Sequence, residues 1–326
     1  MRLLLFSILC VTLSSCGFGY LTEIDNQDKT APRAEDCGAC HVEQYAEWQQ
    51  TRHARAFISL EFKQQSDHSK DEGCLFCHVP GDVHDPEREP RLYNREEGVT
   101  CVSCHLHDKA MQGPHVSGAL ISPHAIAQNN QMNSKIDSAE LCGICHHETY
   151  EQWLDHQDIT NTPAPTCHSC HGAPVKRTHT QGPSLFSDLL VAFEPEHEVR
   201  SHHLMLPGQN DATAAPKLEL VESSPDQVTF TLINSLPHEL PTGSFGEKHL
   251  MVIVNRLEGD TIVATNSMSI PEIIRLTQSV TMGISLPSGR QNQHLQINLL
   301  RRHRSTNEIT LIRSYHFQED THAHTP

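Results

Sequence analysis

Apolar and polar positions alternate along the last third of the chain and hardly at all before it. Across residues 217–232, 249–255, 261–268, 280–286, 295–300 and 308–317, apolar or β-branched residues interleave with polar ones, as in Leu-Glu-Leu-Val-Glu from Leu218 and Gln-Val-Thr-Phe-Thr-Leu from Gln227. A period of two puts one set of side chains on one face of an extended strand. Turns such as Glu258-Gly259-Asp260 separate the runs, so the pattern predicts an antiparallel β-sandwich over residues 213–318. Residues 31–212 read instead as mostly α with extensive loops. The remaining apolar run is the first one, residues 3–11 behind Arg2 and before Leu13-Ser14-Ser15-Cys16. It is too short for a permanent membrane helix and predicts an export signal over residues 1–15.

Leu-Ser-Ser-Cys also resembles the bacterial lipobox. That resemblance implies lipidation of Cys16, a linker over residues 16–30 and, with Gly17 next, anchoring to the outer membrane on its periplasmic face or at the cell surface. The tail 319–326 reads as solvated and disordered. Composition sharpens the middle of the chain. Only 37% of the 326 residues are hydrophobic and 5% aromatic, thin for a core closed by side chains alone, while there are 25 histidines. A formal charge of −16 argues against nucleic acid as a partner and fits attraction of basic redox proteins.

Apart from Cys10 and Cys16, the cysteines fall into five Cys-x-x-Cys-His segments: Cys37, Cys40, His41; Cys74, Cys77, His78; Cys101, Cys104, His105; Cys142, Cys145, His146; and Cys167, Cys170, His171. This is the attachment signature of heme c, with two thiols for the porphyrin vinyl groups and the adjacent imidazole as proximal iron ligand. Zinc also uses Cys-x-x-Cys, but it does not call for a histidine directly after the second cysteine every time. Five covalent hemes would supply the apolar surface that the side chains lack. Five motifs between residues 37 and 171 also force the macrocycles close together.

Cys37–Trp48 (Cys-Gly-Ala-Cys-His-Val-Glu-Gln-Tyr-Ala-Glu-Trp) repeats at Cys142–Trp153 (Cys-Gly-Ile-Cys-His-His-Glu-Thr-Tyr-Glu-Gln-Trp), including both tryptophans of the chain. A helix leaving each motif would put Tyr and Trp three apart on one face. Second axial ligands are expected among His53, His124, His202 (with His203 as competitor), His238, and His84 or His115. Met111, Met132 and Met205 are thioether alternatives. Histidine on both sides of every iron favours electron transfer over substrate binding.

The stretch Cys-Gly-Ala-Cys-His-Val-Glu-Gln-Tyr-Ala-Glu-Trp-Gln-Gln-Thr-Arg-His-Ala resembles the opening of the tetraheme cytochromes c of ammonia oxidisers and their multiheme superfamily. Gly98–His105 and the later Thr-Cys-His-Ser-Cys-His followed by Arg-Ser-His resemble further motifs of that family. Together these resemblances cover roughly residues 31–210 and imply a mostly α fold with extensive loops around hemes. The resemblance implies that His53 is an axial ligand of a heme other than the adjacent one. Pro-His-Glu-Leu-Pro-Thr-Gly around His238 resembles the start of β-domains appended to such cytochromes, with Pro237 where glycine is usual. Pentaheme nitrite reductases resemble the chain in heme number but replace one motif histidine by lysine, which none of the five motifs does. The expectation is an electron carrier rather than an enzyme, working with other cytochromes or a membrane quinol-linked complex. The alternatives are a reductase of small nitrogen or sulfur species at one open heme, and a filament-forming cytochrome.

Overall fold

A computed structural model describes residues 25, 27–29, 31–113, 138–181, 194–204, 215–242, 248–287, 293–304 and 306–318. The expected signal, Cys16, His115, His124, Met132, Met205 and the tail lie outside the described residues. Contacts divide the chain into two compact units, Met1–Asp137 with Val175–His202, and Ser138–Pro174 with His203–Pro326. The fourth and fifth motifs thus share a unit with the β-strands. No described helix is long and apolar enough to cross a membrane.

In the first unit the helices are short: α1 (Ala34–Gly38), α2 (Val42–Gln49), α3 (Leu60–Gln65), α4 (Glu72–His78) and α5 (Cys101–His105), with a 3-10 turn at Arg95–Glu97. Local side chains start them. Ser59 Oγ accepts from Phe62 N at the head of α3, Asp71 Oδ1 accepts from Gly73 N at the head of α4, and Thr100 with Ser103 forms a capping box on α5. Strands β1 (Leu106–His107) and β2 (Ala110–Met111) form a two-stranded ribbon, as do β3 (Pro174–Arg177) and β4 (His197–Arg200). Apolar packing is sparse here. Phe62, Leu75 and Val79 form one small group, and Val102 and Leu106 another, on which Met111 packs.

The second unit begins with α6 (Ala139–Gly143), α7 (His147–Thr160) and α8 (Cys167–His171); Asn161, in the left-handed region at φ 50°, ends α7. Seven strands follow: β5 (Lys217–Ser223), β6 (Gln227–Ile233), β7 (Lys248–Glu258), β8 (Thr261–Ile270), β9 (Ser279–Ser285), β10 (His294–His303) and β11 (Ile309–Gln318). They make one antiparallel sheet in the order β11-β10-β7-β8 and another in the order β5-β6-β9. The two-residue turn between β7 and β8 has Gly259 at φ +61°, a backbone state that suits glycine.

Both sheets feed one apolar core. Val228, Phe230 and Leu232 of β6 are fully buried with Leu250, Val252 and Val254 of β7 and Leu295, Ile297 and Leu299 of β10. The odd-even alternation of β6 decides which residues enter it, and each such side chain gains roughly 1.5–3 kcal/mol from burial. Arg256, fully buried at the end of that β7 face, donates to the carbonyls of Ser224, Pro225 and Pro287 and so ties two loops to the sheet.

Candidate heme-binding site

Helical turns bring the sulfurs and imidazole of each motif together. The second, third and fifth motifs form α4, α5 and α8 outright, while Cys37 and Cys142 sit at the ends of α1 and α6. In the first and fourth motifs the helical bond continues into the histidine, with His41 N on Cys37 O and His146 N on Cys142 O, each at 2.9 Å. Cysteines three apart on a helical turn share a face, the disposition that two vinyl groups of one ring require. No disulfide joins the motif cysteines.

The imidazoles of the first three motifs are oriented by backbone carbonyls. Nδ1 of His41 lies 2.7 Å from His179 O, Nδ1 of His78 lies 2.6 Å from Ala56 O, and Nδ1 of His105 lies 2.9 Å from Gln112 O. A carbonyl only accepts, so Nδ1 carries the proton and Nε2 keeps the lone pair that binds a metal. Phe62 stacks on His78, with centroids 4.2 Å apart.

Two of the expected second ligands stand opposite motif histidines. His202 faces His105 with ring centroids 6.0 Å apart, and His238 faces His171 at 6.4 Å. Two imidazole nitrogens each about 2.0–2.1 Å from one metal put the ring centroids about 6 Å apart, so both pairs have room for an iron between them. Burial pushes His202 down to about 4, helped by neighbouring His105. Burial likewise pushes His238 down to about 4, against the hydrogen bond it donates to Glu239 O. Both imidazoles are therefore neutral and able to ligate. These residues fit heme.

His84 and His53 are placed differently. His84 sets Nε2 2.9 Å from Cys104 O and its ring edge-on to His107, whose Nδ1 binds Asp82 at 2.7 Å. The His53 carbonyl accepts from Val99 N at 3.0 Å. Gly98, at φ +61°, makes that approach, since a Cβ there would lie 2.4 Å from His53 O.

The motifs associate out of chain order. The Cys37 thiol is pushed up first of all by its hydrogen bond with Cys101, which is lowered by the same bond. Its hydrogen bond with Cys142 lowers Cys167 to about 7. Thus the first motif meets the third, and the fourth meets the fifth. The twelve-residue repeat builds both meetings. Tyr45 stacks on Trp48 at 5.8 Å and Tyr150 on Trp153 at 5.7 Å. Gly38 and Gly143 lie under the tyrosine rings, where a Cβ would come within 2.6 Å. Trp48 Nε1 donates to Val99 O and Trp153 Nε1 to Pro165 O, each at 2.8 Å and each two residues before the partner cysteine. The duplicated unit therefore holds two motifs, Cys-Gly-x-Cys-His…Tyr-x-x-Trp and Thr-Cys-x-Ser-Cys-His. The shared Thr-Cys-x-Ser-Cys-His at Thr100 and Thr166 is the signal that marks its second half.

Reading the chain alone missed three side chains around these units. Glu47, the residue before Trp48, accepts from Arg177 at 2.8 and 3.1 Å and from His202 N at 2.7 Å. Gln152, the residue before Trp153, accepts from Glu239 N at 3.1 Å.

The family described as Cytochrome c554 and c-prime matches residues 36–106. Cytochrome c-554 of Nitrosomonas europaea is 29% identical over 138 residues, which are 34% of this chain and 54% of that protein, so the chain spans about half the length of this curated relative. The crystal structure of a penta-heme cytochrome c552 from Thermochromatium tepidum superposes with a TM-score of 0.57 at 14% identity, over 88% of this chain and 98% of that one.

Proposed function

Since the chain resembles the multiheme cytochromes c in sequence around its first motifs and in fold along most of its length, we propose that it is an exported pentaheme electron carrier. The cysteines and histidines of the five motifs attach heme c, and the two imidazole pairs at 6.0 and 6.4 Å carry the reading. Heme c supplies an iron that changes between ferric and ferrous states with no bond to substrate made or broken. What the protein adds is position. Backbone carbonyls orient His41, His78 and His105, and His202 and His238 would hold two irons and so shut out small ligands. The closeness of Cys37 to Cys101 and of Cys142 to Cys167 supports two close pairs of attachment sites, which would suit single-electron hopping.

In this reading residues 31–212 form the cytochrome part, with His53, His84 and His124 as further second ligands. Residues 213–318 form a β-sandwich, supported by two antiparallel sheets with one core. Its loop after β6 supplies His238. Cys16 anchors the mature protein to the outer membrane, within reach of other cytochromes or a quinol-linked complex. Low-temperature EPR of the oxidised protein, before and after adding nitrite, hydroxylamine or sulfite, tests the reading. Low-spin signals that none of these alters are expected. A high-spin heme that shifts with one of them overturns the carrier in favour of a reductase.

A further inference from the structure

The two copies of the repeat differ at one position that acts on the second ligand. In the first copy Glu47 accepts from the backbone N of His202 itself, at 2.7 Å. The same carboxylate is gripped by both terminal nitrogens of Arg177, at 2.8 and 3.1 Å. The Glu47 side chain is 14% exposed and that of Arg177 7%, so solvent screens the pair weakly. Arg177 also donates to Arg200 O at 3.3 Å, on the strand that leads into His202. In the second copy Gln152 Oε1 accepts from the backbone N of Glu239, the residue after His238, and Gln152 Nε2 donates to the Glu239 carboxylate at 3.3 Å. The helix that leaves the first motif of each pair thus reaches the strand or loop that delivers the opposite ligand of the second motif. One copy does so with a paired carboxylate, the other with a neutral amide.

We propose that Glu47 and Gln152 are equivalent positioning residues, each seating the backbone beside the second axial histidine of its own motif pair, and that the charge at Glu47 sets the reduction potential of the heme held by His105 apart from that held by His171. The inference rests on the proposed ligation of those irons by His202 and His238. A seat of this kind acts in two separable ways. Its hydrogen bond to backbone fixes where the imidazole stands, and hence the spin state and anisotropy of the iron. Its charge acts through a poorly screened medium on the energy of the oxidised iron, one positive charge richer than the reduced one.

Glu47→Gln, Glu47→Ala and Gln152→Ala separate the two. Glu47→Gln keeps an acceptor for His202 N and removes one negative charge beside Arg177. It is expected to leave all EPR signals low-spin while raising the midpoint potential of one heme in a spectroelectrochemical titration. Glu47→Ala removes the seat and is expected to alter the low-spin EPR signal of that same heme. Gln152→Ala is expected to alter the signal of a different heme. Heme content per chain, read from the pyridine hemochrome, checks that all variants are fully loaded; if Glu47→Ala does not load, the isosteric Glu47→Gln and the second-copy variant still decide. Loaded variants that melt earlier but keep native EPR signals and potentials overturn the inference, as does perturbation of one common heme by both alanine variants. Native protein without low-spin bis-imidazole signals would instead remove the ligation on which the inference stands.

Discussion

The motif-bearing stretch and the strand-bearing stretch are held together by different means. Residues 31–113 contribute two small apolar groups, Phe62 with Leu75 and Val79, and Val102 with Leu106. Residues 215–318 contribute one continuous core in which β6, β7 and β10 bury their inward faces completely. The first region devotes its sequence to cysteines, histidines, helix caps and side-chain hydrogen bonds to carbonyls. The second spends it on alternation. Under the proposed attachment, heme would stand in for a core in the first region, with short capped helices and hydrogen bonds to carbonyls fixing its attachment points.

The largest test of that contrast is to withhold heme. Chain made without heme attachment is expected to lose amide protection throughout residues 31–113 while β6, β7 and β10 keep theirs, as followed by hydrogen exchange and mass spectrometry; equal protection in both regions would erase the distinction. Next in size is Phe230→Ala, which empties a fully buried site in the strand core. It should cost about 3–5 kcal/mol in denaturant unfolding of the β-region and leave the heme absorption bands where they were. Gly38→Ala forces a Cβ to within 2.6 Å of the Tyr45 ring. A loss of about 1–3 kcal/mol is expected from such overpacking, and Gly143→Ala should match it if the two copies are built alike; thermal melts of the pair make the comparison. Smallest is Trp48→Phe or Trp153→Phe, each deleting one 2.8 Å bond to a carbonyl. About 0.5–1.5 kcal/mol is expected, with a larger effect for Trp48, which is the less exposed donor.

How far the chain could be read depended on whether a feature was local. The β-strands follow period-two runs, and the turn at Gly259 was visible as Glu-Gly-Asp, because side-chain alternation and turn chemistry are properties of neighbours. The stacking of Tyr45 on Trp48 was equally legible, three apart on a helix. His202 and His238 stood out by context, but which motif histidine each faces did not, since pairing is set by how the chain returns on itself. The meeting of the first motif with the third was hidden for the same reason, as the second motif intervenes. Nothing in its sequence neighbourhood marked Glu47 out. Its partner Arg177 is 130 residues away, and only tertiary contact gives that carboxylate its burial and its task.

The tryptophan bonds also carry a timetable. Trp48 reaches a carbonyl 51 residues on, Trp153 one only 12 residues on. Each doubling of a flexible loop adds about 0.6 kcal/mol to the entropy of closing it, so the earlier pair faces about two doublings more than the later one. In a chain that emerges N-terminus first, Trp48 waits for 51 further residues, the second motif among them, before Val99 appears, whereas Pro165 follows Trp153 after only 12. The copy nearer the C-terminus can therefore close soon after its tryptophan is out, while the N-terminal copy stays open until the intervening motif has passed.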